Sequence, residues 1–486
     1  MTEAEAYKLA TSTLNGRLIA PYQREGVLWM LMRELGNSVV KGGFLCDEMG
    51  LGKTVQIIAT MLGNPGKKTL IIVPKSIVNQ WKEEIGRFAP NLTVHVYDGP
   101  KRETNAESDV TIAPYSLLTK KGQPKGTPTD LHRFRWGRVI LDEGHEIRSS
   151  SSKIHTSVKL LSSSIRWVIS GTPVYNSMND FIALSDFLGI PKSVVQGMTD
   201  KVRKTYVLRR TKQDVSEFNK RLELPPCDFQ NVELTMYPEE LSLYKDVYER
   251  SQDIIRAIFK KQNAGMHAMH VLECFLRTRQ AMIWPQLYVD GMAKKEDELS
   301  EPWEGRSKKM ETLFELIRSH PTEKSLVFCQ FMEEMNHIQN SLIEQGKVVF
   351  RIDGSVEQSA RVACLEKFKQ HRGGCVFVIQ IKSGGQGLNL QEATRVYITS
   401  PSWNPATEMQ AIARSHRTGQ VNKVVVKKLV YVGTEDLPSI EESMMALQGH
   451  KAVICSEVLN DPRLAKQIPG CRGDLSIREI KKIFHV

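Results

Sequence analysis

The sequence predicts an α/β protein with two parallel-sheet lobes, helical insertions between them and a C-terminal helical brace. Three observations carry this. Two stretches, from about Lys41 to Leu188 and from about Lys308 to Tyr431, alternate short apolar runs with helix-spaced apolar residues. Their runs are continuous rather than alternating, as in strands buried on both faces of a parallel sheet. The segment between them keeps helical spacing but lacks the runs.

The first lobe is expected over 1–188. Its strands read as TLIIVP (69–74), DVTIAP (109–114), RVILDE (138–143) and RWVISG (166–171). Between the first two, SIVNQWKEEIGRF repeats Ile77, Trp81, Ile85 and Phe88 at helix spacing. The region 189–304 is expected to be helical insertion, with helices over 239–261 and 269–282. The second lobe, 305–432, carries SLVFCQ (325–330), VVFRID (348–353), CVFVIQ (375–380), RVYITS (395–400) and VVVKKLVY (424–431). In the tail, 433–486, a helical pattern over 439–459 reads as a brace.

Composition narrows the function. The 486 residues suit two to four domains, and 41% hydrophobic content excludes a disordered chain. A net charge of +11, from 66 basic and 55 acidic residues, favours an anionic partner such as nucleic acid. No window approaches the roughly 20 apolar residues of a membrane span. The opening MTEAEAYKLATSTLNG lacks the basic-then-apolar order of a secretory signal, so none is expected. Eight scattered cysteines without a CxxC pair point away from a disulfide framework or zinc ribbon, and towards a reducing compartment.

The string GGFLCDEMGLGKT (42–54) reads as strand, glycine-rich turn and helix start. Gly50 and Gly52 let the backbone curl so that its N–H groups converge on phosphate oxygens. Lys53 would reach the β- and γ-phosphates, and the Thr54 hydroxyl would ligate Mg²⁺. Asp47 stands where the general phosphate-loop pattern has glycine. Downstream, RVILDEGHE ends a strand in paired acids. Asp142 would hold Mg²⁺ and Glu143 would activate water. His145 reads equally as a coupling residue or an ordinary hydrogen-bonded one. In QAIARSHRTGQ (410–420), Arg414 and Arg417 sit three apart on an expected helix, placed to neutralise charge on a transferring phosphate.

Together these strings resemble the SWI/SNF-type DNA translocases of helicase superfamily 2, with the repair-associated branch looking nearest. The motifs follow the family's order: APYQREGVLWM (20–30), DEMGLGKT (47–54), IIVPKSIVNQWKEEI (71–85), DEGH (142–145), SGTPVYN (170–176), LRRTKQDV (208–215), SGGQGLNLQEA (383–393), SWNPA (402–406) and QAIARSHRTGQ. Asp47 belongs to the family's own variant of the loop. The cysteine pairs of a RING finger are missing, so ligase activity is not carried over.

The resemblance implies two RecA-like lobes. ATP would be bound by Gln23, Asp47, Glu48, Met49, Gly50, Leu51, Gly52, Lys53, Thr54, Gln410, Arg414 and Arg417, with Mg²⁺ on Thr54 and Asp142. Lys53, Asp142, Glu143, Arg414 and Arg417 would be catalytic, and His145, Ser170 and Thr172 would couple hydrolysis to movement. Pro74, Lys75, Ser383, Gly384, Gly385, Asn389 and Trp403 would touch the backbone of double-stranded DNA. The implied function is an ATP-driven translocase that displaces or remodels DNA-bound proteins, nucleosomes among them, with the nucleus as its expected compartment. A strand-separating helicase and a non-hydrolysing scaffold are the alternatives. Arg209, Arg210 and Lys212 either face phosphate or brace the closed state.

Overall fold

The computed structural model describes all residues except 100–102, 104, 106, 120–121, 172–177, 217–224, 261–267, 382–387, 404, 418, 447, 449–482 and 485–486. The chain forms two units that divide between residues 223 and 224.

The first unit is built on seven strands: β1 (Gly42–Leu45), β2 (Thr69–Val73), β3 (Val94–Val96), β4 (Val110–Pro114), β5 (Arg135–Asp142), β6 (Ser162–Ile169) and β7 (Val207–Leu208). They pair in the order β3-β4-β2-β5-β6-β1-β7, every pair parallel. β1, β2 and β4 are buried along their whole length, which explains their unbroken apolar sequence. Leu45 and Asp142 both register against Ile169 of β6. The ends of β1 and β5 therefore lie level at the carboxyl edge of the sheet, where ligands of open α/β sheets bind.

Helix Pro21–Leu35 starts with proline in its first turn, where the missing N–H costs no helical bond. It is tied to β5 by a buried ion pair. Arg138 Nε and Nη2 donate to Glu34 Oε1 and Oε2 at 2.7 and 2.5 Å. Trp167 and Asn64 complete the Glu34 carboxylate at 2.9 and 2.7 Å.

The second unit holds β8 (Cys227–Leu234), β9 (Ser325–Cys329), β10 (Val349–Ile352), β11 (Val376–Gln380), β12 (Arg395–Ile398) and β13 (Val424–Tyr431). The order is β10-β11-β9-β12-β13-β8, again parallel throughout. The expected strands of both lobes are thus present, within four residues at their ends.

The region 189–304, read from sequence as mostly helical, also contributes an edge strand to each sheet. β7 is only two residues long, and β8 (CDFQNVEL) is half exposed and paired on one side, so neither makes an apolar run. The helices Pro238–Lys260, Ala268–Ile283 and Pro285–Glu296 do form there. They bury Tyr244, Tyr248, Val271 and Met282 in one apolar cluster with Val327, Tyr397 and Leu429 of the second sheet.

The tail's helical pattern is described from Ile440 for less than ten residues, and the remainder to 459 lies outside the described residues. Its start is anchored by Lys309 Nζ donating to Glu441 Oε1 at 2.6 Å, both side chains at most 1% exposed. Farther on, Phe484 stacks on Tyr248 at 5.2 Å, and Gln252 donates to its carbonyl at 2.7 Å.

Candidate functional site

β1 runs into the loop Cys46–Gly52, and helix Lys53–Gly63 follows directly. Gly50 and Gly52 take φ of 92° and 75°, left-handed values that favour glycine and turn the loop into the helix. The helix start has no side-chain cap, so its first N–H groups remain available to an anion. Lys53 Nζ folds back to donate to the Asp47 carbonyl at 2.8 Å and the Glu48 carbonyl at 3.4 Å. Burial pulls its ammonium below the usual lysine range, against the opposing pull of Glu143, Asp47 and Asp142. Gln23 is buried beside this loop, with Nε2 donating to the Leu51 carbonyl at 3.4 Å.

At the tip of β5, Asp142 is held at both oxygens. Trp81 Nε1 donates to Oδ2 at 2.7 Å and the Glu143 N–H to Oδ1 at 2.9 Å. The Tyr115 hydroxyl donates to the Asp142 carbonyl at 2.9 Å. Burial, then the charge of Glu143, pushes the Asp142 carboxyl up to about 6, against the Trp81 hydrogen bond and Lys53. Paired carboxylates beside a lysine are donors that suit a divalent cation bridging to phosphate.

Glu143 itself has φ 50° and ψ 50°, a left-handed conformation that costs a non-glycine residue about 1–3 kcal/mol and clusters at functional sites. Gly144 is required next, because a Cβ there would lie 2.5 Å from Val168 Cγ1. The turn brings His145 Nδ1 to 3.4 Å from Glu143 Oε2.

Ser170 is buried one residue beyond β6, and its N–H donates to the Leu45 carbonyl at 3.3 Å. A Cβ on Gly171 would lie 3.4 Å from Met49 and 4.0 Å from Lys53 Nζ, so this motif begins beside the phosphate loop. Thr172 lies outside the described residues. Pro74 and Lys75 follow β2 at the same sheet edge, with Lys75 exposed and 3.8 Å from Asp98.

In the second unit, Gln410 sits in the last turn of helix Pro405–Ile412. Arg414 and Arg417 are not on that helix, contrary to the expectation from their spacing. The chain turns at 413–417, because the Arg414 carbonyl accepts from Leu390 N–H at 3.0 Å and Gln420 Nε2 donates to the Ser415 carbonyl at 3.2 Å. Burial pulls the Arg417 guanidinium below its usual range. Ser383, Gly384 and Gly385 lie outside the described residues. Asn389 Oδ1 is buried and accepts no hydrogen bond among the described residues, and the Trp403 ring is half-buried, edge-on to Phe275 at 5.4 Å.

Sequence reasoning missed Trp81 and Tyr115 as site residues. Trp81 belongs to an apolar helix repeat, and nothing local shows that its indole N–H reaches Asp142. Arg210 grips Asp47: its Nε donates to Asp47 Oδ1 at 3.0 Å and its Nη2 to Oδ2 at 2.5 Å.

A glycine-rich phosphate loop at the carboxyl edge of one parallel sheet, an acid pair two strands away and a second parallel-sheet unit define a two-lobed phosphate-loop nucleotide-binding protein. The SNF2-related domain matches residues 22–196, and the helicase conserved C-terminal domain matches residues 308–419. The chain belongs to the SWI/SNF-type branch of helicase superfamily 2.

The putative ATP-dependent helicase/translocase YwqA of Bacillus subtilis is 29% identical over 500 residues, covering 96% of this chain and 50% of that protein. The probable global transactivator of Orgyia pseudotsugata multicapsid polyhedrosis virus is 27% identical, covering 95% of this chain and 93% of that protein. The chain therefore spans half the length of the bacterial relative and nearly all of the viral one. The solved Sulfolobus solfataricus SWI2/SNF2 ATPase core in complex with dsDNA is 26% identical, with 97% of each chain covered and a TM-score of 0.40.

Proposed function

We propose that this chain is a DNA-dependent ATPase that translocates on double-stranded DNA and displaces or remodels proteins bound there, without separating the strands. The observation that carries the reading is the gathering of Lys53, Asp142 and Glu143 at one sheet edge by the common register of β1 and β5 on Ile169.

The loop N–H groups and Lys53 bind the phosphates, and Gln23 is the proposed reader of adenine. Thr54 and Asp142 would hold Mg²⁺, which when bound neutralises charge on the phosphoryl group being transferred. Glu143 accepts the proton of the attacking water. Arg414 and Arg417 are the proposed source of positive charge for the phosphoryl group, a role worth about 10³–10⁵ in turnover where arginines act this way. The net charge of +11 suits contacts to the phosphates of a duplex, which carry no base code. Pro74, Lys75, Ser383, Gly384, Gly385, Asn389 and Trp403 are the proposed contacts, and His145, Ser170 and Thr172 the proposed couplers. The compartment we propose is that of the DNA, the nucleus in a eukaryotic cell.

The test is ATP turnover with duplex, single-stranded or no DNA, together with triplex displacement and forked-duplex unwinding. Duplex should stimulate most, log affinity should fall linearly with log salt, and the triplex strand should be displaced while the fork stays closed. Unwinding of the fork would establish the helicase alternative, and no turnover under any condition the scaffold.

Trp81 provides a second check. Trp81→Phe removes the donor to Asp142 Oδ2 and should raise the Mg²⁺ concentration for half-maximal turnover about 10- to 100-fold, the usual cost of losing an outer hydrogen bond to a metal ligand. An unchanged requirement would remove Trp81 from the site.

A further inference from the structure

The segment Leu208–Lys212 runs beside the phosphate loop as a strap. β7 pairs with β1 through Val207–Phe44 and Leu208–Leu45. The ladder then continues past both strands: Cys46 N–H donates to the Leu208 carbonyl at 2.7 Å and Glu48 N–H to the Arg210 carbonyl at 2.8 Å. Lys212 N–H donates to Glu48 Oε2 at 2.8 Å, and Arg209 Nη1 to the Cys46 carbonyl at 2.9 Å. The first part of the loop, Cys46–Glu48, thus has a partner in the strap.

Arg210 is the centre of this strap. Its fork grips the fully buried Asp47, its Nη2 also donates to Gln56 Oε1 at 2.9 Å, and its Nη1 donates to the Tyr22 carbonyl. Gln56 Nε2 closes the ring by donating to Asp47 Oδ2 at 3.1 Å. One guanidinium therefore joins the loop, the helix that follows it and the residue preceding Gln23. Four of its five N–H donors are engaged within the protein. Asp47 is also the residue whose carbonyl receives Lys53 Nζ. The neighbouring helix leaves room for this network only through Gly26, where a Cβ would lie 1.9 Å from Gln56 Oε1 and 2.7 Å from Arg210 Nη2.

We propose that Arg210 is a positioning residue of the nucleotide site: through Asp47 it holds the phosphate loop and Lys53 in the shape that accepts nucleotide. The proposal rests on the nucleotide reading above. Asp47 occupies the position where a general phosphate loop has glycine, and the strap supplies the tether that a carboxylate there can use. A lysine cannot replace the planar fork, because it presents one compact charge.

The test uses the full chain with Arg210→Gln, Arg210→Lys and the neutral pair Asp47→Asn/Arg210→Gln. It reads binding of a fluorescent ADP analogue, KM and kcat for ATP with saturating duplex DNA, and thermal melting. Arg210→Gln and Arg210→Lys should weaken nucleotide binding about 10- to 100-fold, the scale of a small misplacement of a binding group, with KM rising more than kcat falls. The neutral pair removes the buried charge, so it should melt close to the wild-type chain and still bind weakly. The proposal is overturned if the neutral pair, or folded Arg210→Gln, binds the analogue within about twofold of wild type. A wild-type chain that binds no analogue overturns the nucleotide reading itself, and the strap's role falls with it.

Discussion

Glu143→Gln is expected to lower ATP turnover by about 10²–10⁴-fold, the range for loss of a positioned general base, while nucleotide binding persists. The amide keeps the size of the carboxyl but cannot accept the proton of water. Binding should survive because the proposed phosphate contacts come from the loop after β1 and from Lys53, not from this side chain. The backbone of Glu143 is left-handed, with a fixed neighbour in Gly144 against Val168, so the substitution leaves the turn and its strain in place. Steady-state turnover and nucleotide titration on the same preparation make the check. Turnover close to that of the wild type would show that Glu143 is not the base and would move the chemistry elsewhere.

Glu34→Ala is expected to destabilise the first unit by about 3–5 kcal/mol, because it strands a buried guanidinium. Arg138 is 1% exposed, and without Glu34 it keeps only the Thr69 hydroxyl at 3.1 Å and the Asn64 carbonyl at 3.2 Å. Trp167 and Asn64 would lose their acceptor as well. Arg138→Met alone should be comparably damaging, since it leaves a buried carboxylate without its charge partner. The double variant Glu34→Leu/Arg138→Met should recover much of the loss, because the pair's desolvation cost disappears with the pair. Denaturant unfolding of the three variants measures this. A single-variant loss below about 1 kcal/mol would mean that water or another group relieves the stranded charge.

Most strands of both sheets, the phosphate loop and the acid pair at 142–143 were legible in the chain because each is a local pattern. A strand buried on both faces must be continuously apolar, and a phosphate loop needs its glycines next to its lysine. β7 and β8 were not legible, since an edge strand paired on one side need not be apolar and two residues make no pattern. The helix expected through Arg414 and Arg417 failed for a related reason. Spacing alone does not show that Leu390 takes the Arg414 carbonyl and Gln420 the Ser415 carbonyl.

By itself, then, the chain determined two parallel-sheet lobes, a phosphate loop at Gly50–Thr54 and a carboxylate pair at a strand tip. Only the tertiary structure decided that Asp142 is oriented by Trp81, that Glu34 and Arg138 meet inside the first unit, and that Arg210 grips Asp47. These partners stand 61, 104 and 163 residues apart. Periodicity and short motifs report what neighbours along the chain require, whereas a buried charge takes its partner from whatever the packed sheet and helices bring within about 3 Å of it.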